Sequence, residues 1–290
     1  MFFELLINGL TMGSIYALIA LGYSMVYGVL QIINFAHGDI FMFGTFIGLT
    51  LIKVWHFNFL TAMVISMAVT AMIGIAIERI AYRPLRMSDR LAPLLSALGV
   101  SIFLANFAQL FWGTETHSFP QVLPSVTLRF GGVMISSLQV AILVLSLLLM
   151  SILYFVVQRS SWGIAMRAVS YNMNYSRLMG VDVDRVISVT FAVGSALAAA
   201  AGILVAIYYD AAYPTMGYSA GLKAFTAAVL GGIGSIPGAM LGGLLLGVVE
   251  NLGAAYLASG YRDAISFGVL VIVLLIKPSG LLGKTHQQKV

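Results

Sequence analysis

The sequence contains no cysteine, and only 9% of its 290 residues are charged. Without cysteine there is no disulfide, no thiolate nucleophile and no zinc–thiolate site. So small a charged fraction excludes an ordinary soluble domain, in which about 25% is usual. Histidine is scarce as well. His37, His56, His117 and His286 stand far apart, with no spacing that gathers ligands on a metal. No basic stretch precedes the first apolar run, MFFELLING, which therefore reads as a retained first span rather than a cleaved signal.

What the sequence has in abundance is long apolar runs: 60% of residues are hydrophobic, and the mean hydropathy is +1.00. The runs are continuous, not alternating as in a membrane barrel. In lipid, a helix satisfies its own backbone groups. At about 20 residues per span, the runs 3–30, 40–55, 59–81, 93–112, 138–158, 186–209, 222–257 (with an internal break) and 264–276 predict an all-α bundle of about eight transmembrane helices. One membrane domain over 1–290 is expected.

The formal charge is +5, yet the cations sit at the ends of apolar runs and form no nucleic-acid patch. Arg79, Arg83, Arg86 and Arg90 make one basic loop, residues 159–185 a second, and Lys277, Lys284 and Lys289 a tail. The positive-inside rule puts all three on the cytoplasmic side. Segment 113–136, with Glu115, Pro120, Pro124 and a lone Arg129, belongs outside, as does 210–221. The side of the N-terminus stays open.

Segment 159–185, RSSWGIAMRAVSYNMNYSRLMGVDVDR, holds Arg159, Arg167, Arg177, Arg185, Asp182 and Asp184. A plain connector between spans needs only a few residues. Ile164, Ala168, Tyr171, Tyr175 and Leu178 recur every three or four positions and predict one apolar stripe on a helix, with Arg167, Ser170, Asn174 and Arg177 elsewhere. Such a face suits a groove on a partner or a lipid surface.

Two interruptions break the apolar pattern. The first, residues 31–39, places Asn34, His37 and Asp39 between two apolar helices. Polar groups at membrane depth are expensive and usually line a cavity, and broken helices form substrate sites in transporters. A turn at the interface, with Asp39 capping the next helix, accounts for the same residues. The second, residues 231–238, opens a stretch to residue 247 that carries seven glycines and Pro237. Gly231, Gly232, Gly234, Gly238 and Gly242 permit close helix packing, and Pro237 ends or bends a helix. Packing alone and a broken helix lining the pathway both fit. Glu250, inside the apolar run that follows, is a functional candidate by its position.

Two motif matches are rejected. Gly217-Tyr-Ser219-Ala-Gly221 matches a nucleophile elbow but lacks the strand–turn–helix context. Residues 278–285, PSGLLGKT, nearly match a phosphate-binding loop. Proline replaces its first glycine, and only five residues follow Thr285. No clustered acid, base or metal set suggests an enzyme, and no cofactor is expected.

Three stretches resemble the membrane permeases of bacterial branched-chain amino acid ABC importers. They are Gly22–Gly28 with Ile33–Asp39, then Glu78–Arg86 (ERIAYRPLR), then Lys223–Ala239 (KAFTAAVLGGIGSIPGA). The likeness extends from Gly9 to about Gly283 and is closest to the smaller of that system's two permeases. It implies an inner-membrane protein paired with a second, related permease, with two cytoplasmic ATPase subunits below and a periplasmic substrate-binding protein above. It also implies a coupling helix of the form R-A-x-x-x-N-x-x-x-A-x-x-x-G-[IV]. Arg167, Ala168, Asn172, Gly180 and Val181 fit that form, and Tyr171 stands where such permeases usually carry an acidic residue. Asn34, His37, Asp39 and Glu250 are the candidate pathway residues. The implied cargo is leucine, isoleucine or valine. Urea, a short amide or a sugar in the same kind of permease is the alternative, and a proton-coupled secondary transporter centred on Glu250 or Asp39 is a more distant one.

Overall fold

The computed structural model describes residues 2–89, 91–123, 126–130 and 133–283. Arg90, Pro124, Lys284, His286 and Lys289 lie outside the described residues, as does the side chain of Arg129. The helices are α1 (Phe2–Leu30), α2 (His37–Lys53), α3 (Phe59–Ile77), α4 (Leu91–Trp112), α5 (Ser137–Arg159), α6 (Ser161–Tyr171), α7 (Met173–Leu178), α8 (Val183–Tyr209), α9 (Met216–Gly231), α10 (Ile236–Tyr256) and α11 (Arg262–Ile276). A five-residue π-helix, Glu78–Tyr82, continues α3. A two-stranded antiparallel hairpin, Thr127–Phe130 with Val133–Ser136, precedes α5.

Seven helical stretches among the described residues are long and apolar enough to cross a membrane. To these the fold adds α2 and α9, of 17 and 16 residues. At 1.5 Å per residue they reach only about 25 Å, short of a hydrocarbon layer about 30 Å thick. The sequence-based count of about eight merged α9 and α10, because the four residues between them are too few to end an apolar run.

Alternating crossings put the loops after α3, α5 and α11 on the basic, cytoplasmic side and the N-terminus on the opposite one. The geometry agrees: the Met134 backbone N–H of the outer hairpin donates to Glu4 at 3.0 Å. The open side of the N-terminus is thereby assigned.

The two halves repeat one plan in opposite orientation. Each has a long helix, a break, a short buried helix and two further spans, α1–α4 in one half and α8–α11 in the other. Inverted repeats of this kind are common in transporters. Small residues set the contacts between them. A Cβ on Gly194 would lie 3.3 Å from the Gly22 Cα, where α1 crosses α8. Gly247 meets Gly13 and Gly243 meets Ala17 along α1 and α10, and Gly74 meets Ser195 between α3 and α8. Without a hydrophobic drive between helices in lipid, such close backbone packing is what holds them together. Outward faces stay apolar, with Leu110, Phe111, Leu148, Leu275 and Ile276 exposed.

Candidate functional site

The first interruption folds back into the bundle. After Gln31, a left-handed residue (φ 55), the chain runs up beside α1. His37 then lies against Gly22, eight residues from the end of α1 and so about 12 Å into the membrane by helical rise. Asn34, His37 and Asp39 are all buried. The Tyr82 hydroxyl donates to Asn34 Oδ1 at 2.8 Å, linking the break to the π-helix of α3. The His37 ring packs edge-on against Tyr23 at 4.7 Å. Asp39 sits in the first turn of α2 without capping it. Carboxylates are favoured there by the helix dipole. An interfacial turn does not describe His37, which lies about two helical turns inside the end of α1, whereas Asn34 stays near the cytoplasmic end through Tyr82, the last residue of its span.

The N-termini of the two short helices meet at this depth. Gly38, the second residue of α2, faces Gly217, the second residue of α9. A Cβ on either would come within 2.5 Å of the other's carbonyl oxygen. Two discontinuous helices thus point their positive ends at one another.

The second interruption is a tight cytoplasmic turn. Gly231 closes α9 and Gly232 takes φ +107. Ser235 caps α10 by accepting from the Gly238 N–H at 3.2 Å, and Pro237 occupies the first turn. Gly238 stacks on Gly231, and Gly242 on Ala227 and Gly231. The segment after α11 seals the turn through Leu281 N–H to the Leu230 carbonyl and Leu282 N–H to the Gly231 carbonyl, at 2.9 and 2.8 Å. Gly234 approaches Gly28 of α1.

Glu250 is not a lone carboxylate. Lys223 Nζ donates to its Oε1 at 2.8 Å and also meets Asp263 at 3.0 Å. The Ser266 hydroxyl donates to Oε2 at 3.2 Å, and Tyr16 donates to Oε1 at 3.4 Å. Sequence reading missed Lys223 because its partner lies 27 residues away on another helix. At the opposite membrane face, buried Glu78 accepts from Arg86 at 2.5 Å and from Ser188 at 2.6 Å. Arg86 also donates to Asp184 at 2.7 Å, and Arg83 donates to the same carboxylate. The hydrogen bond with Asp184 pushes the Arg83 guanidinium further above its ordinary range.

The basic segment folds as two helices, not one. Asn172 ends α6 and caps α7, its Oδ1 accepting from the Asn174 and Tyr175 N–H groups at 2.9 and 3.0 Å. Gly180, at φ +82, closes α7. Its N–H donates to the Arg177 carbonyl and the Val181 N–H to the Ser176 carbonyl, both at 3.0 Å. That is a Schellman ending. Arg167 turns back to the Val157 carbonyl at the end of α5 rather than toward a partner's rim. Met166 and Val169 are buried, and Ser170 donates to the Gly28 carbonyl. Gly163 is required where α6 meets α5, since a Cβ would lie 2.0 Å from the Val157 carbonyl oxygen. Ala168 is exposed. So are Ile164, Tyr171, Tyr175, Leu178 and Met179.

Broken helices meeting inside an inverted-repeat bundle, with a docked helical pair on the cytoplasmic face, define a multi-pass membrane transport permease. The chain matches the model of the family described as branched-chain amino acid transport system / permease component over residues 5–274, and it belongs to that family. It is 46% identical over 302 residues to the high-affinity branched-chain amino acid transport system permease protein BraD of Pseudomonas aeruginosa, covering 100% of this chain and 98% of the relative. Identity to the permease protein LivH of Escherichia coli is 42% over 306 residues, with the same coverage. Among solved structures, PsaBC from Streptococcus pneumoniae in complex with Fab matches with a TM-score of 0.48 and 12% identity, over 94% of this chain and 91% of that one. The protein is therefore a multi-pass permease of the inner membrane.

Proposed function

We propose that the whole chain is one permease domain that moves leucine, isoleucine or valine inward, driven by ATPase subunits. It would pair with a second, related permease, two cytoplasmic ATPase subunits would dock below, and a periplasmic binding protein would deliver cargo from above. The observation that carries this reading is the α6–α7 pair. Its buried side, Met166 and Val169, is fixed to the transmembrane body, while Tyr171, Tyr175, Leu178 and Met179 are exposed together on the cytoplasmic face. Exposed apolar residues on a helical pair suit a groove on a partner. Ion pairing also favours this reading over the secondary transporter: Glu250 shares its charge with Lys223, where a proton carrier needs a carboxylate free to exchange. Within this reading Asn34, His37 and Asp39 surround the meeting point of the short helices, and Arg167, Asn172, Gly180 and Val181 hold the docking pair in shape.

Reconstitution of the complex with its co-purifying partners in liposomes tests the proposal. ATP and binding protein together are expected to drive accumulation of labelled leucine. Accumulation of urea or a sugar but not leucine would overturn the substrate.

A further inference from the structure

Two cavities adjoin in the outer half of this chain, of about 140 and 450 Å³. The larger falls in the range of small-molecule pockets, roughly 300–1,000 Å³. Met12, Tyr209 and Arg262 line both. Beyond them the smaller cavity is polar, with Asn8, Glu250 and Asn251. The larger adds Phe41, Val205 and Met216.

Arg262 is the feature that calls for a ligand. It makes no ion pair among the described residues, although Glu250, Asp263 and Lys223 are engaged with one another nearby. Its Nε is buried and has no hydrogen-bond partner. A buried N–H donor without an acceptor is costly, and a carboxylate matches the planar fork of the partly exposed guanidinium in a two-point contact. The charges around it, Lys223 and Arg262 against Glu250 and Asp263, sum to zero. A ligand with no net charge leaves that balance intact.

We propose that these joined cavities are a transit site for an aliphatic α-amino acid within the single permease chain. The carboxylate pairs with Arg262. The ammonium faces Glu250 and Asn251 in the smaller cavity. The aliphatic tail enters the larger one between Met12, Val205 and Met216. This deepens the amino-acid reading given above and rests on it. A site inside one chain gives the permease its own contact with cargo after the binding protein releases it.

The test uses the detergent-purified complex without binding protein, and equilibrium binding of labelled leucine. The wild type is expected to retain leucine. Arg262→Gln weakens retention at least tenfold and Arg262→Lys less, with the elution profile unchanged. Leucinol, which lacks the carboxylate, binds the wild type at least tenfold more weakly than leucine does. Val205→Trp, which fills the tail region, lowers leucine binding but spares alanine. Equal leucine binding by wild type and Arg262→Gln overturns the site. So does equal binding of leucinol and leucine, which needs no variant to fold. A wild-type complex that binds no leucine, yet accumulates it once ATP and binding protein are added, overturns the site while the amino-acid reading stands. Failure to accumulate leucine at all overturns that reading and the site with it.

Discussion

Glu78 and Glu250 occupy corresponding places in the two inverted halves, each on the third helical unit of its half, α3 with its π-helix and α10. Each accepts a hydrogen bond from a hydroxyl on the first helix of the opposite half, Ser188 on α8 and Tyr16 on α1. There the likeness ends. The inner cluster is closed: Glu78 is fully buried and the Arg86 side chain is 6% exposed. Through Asp184 it reaches Arg83 and, at 3.9 Å, Arg177 of the docking pair. The outer cluster borders two cavities and includes Asp263, whose side chain is 69% exposed. One plan thus yields a sealed link to the cytoplasmic helices at one face and a solvent-reached lining at the other.

The largest effect is expected at the sealed end. Glu78→Ala leaves Arg86 buried with only a half-exposed partner, and breaking such a pair costs about 3–5 kcal/mol. Thermal unfolding of the purified complex measures the loss, and Glu78→Leu with Arg86→Leu recovers much of it, since an apolar pair carries no stranded charge. Glu250→Gln is milder, about 1–3 kcal/mol, the scale for a lost hydrogen bond to a charged group. The amide oxygen still accepts from Tyr16, its NH2 group donates to the Ser266 hydroxyl oxygen, and Lys223 keeps Asp263. ATP-driven leucine uptake is expected to fall, because the cargo ammonium loses a carboxylate, but not to be abolished. Equal losses at both glutamates would erase the contrast between the ends, and abolished uptake with hydrolysis still running would favour proton coupling.

Much of this was legible one element at a time. Continuous apolar runs predict the bundle, and basic clusters predict which loops face the cytoplasm, because both signals are local. The polar break at 31–39 and the glycine-rich break at 231–238 stand out for the same reason. What stayed hidden depends on distant pairs. Lys223 is one cation in an apolar stretch until Glu250 and Asp263 are brought to it. Arg262 gains meaning only as the guanidinium left over beside them. Nor does periodicity reveal that Asn172 splits the basic segment, since its stripe runs on through α7 with little change of register. A single side chain capping the next helix overrides it.

That split gives the next test. Asn172→Ala removes the one oxygen that accepts from two α7 N–H groups, at about 1 kcal/mol. The six-residue helix has only Ser176 buried and little else to hold it. Hydrogen exchange over 173–181 is expected to rise, and leucine moved per ATP hydrolysed to fall, while the outer cluster and leucine binding stay unchanged. A fall in binding instead would mean that the two ends are not separable.

The smallest effect is expected at Gly180, and it isolates backbone shape from packing. Nothing lies within 4 Å of the place where a Cβ would stand, so space is not at issue. Only φ +82 is, and an L-residue held there loses roughly 1 kcal/mol relative to glycine. Gly180→Ala therefore strains the Schellman ending without touching a partner, and Gly180→Asn strains it less, because asparagine tolerates the left-handed region. Four residues later stands Asp184, the hinge point of the inner cluster. If α7 transmits motion through that short link, coupling falls in the order Gly, Asn, Ala, while thermal stability of the body, set by Glu78 and Arg86, barely moves. Coupling that is the same in all three variants would show that the link between docking pair and sealed cluster does not depend on this turn.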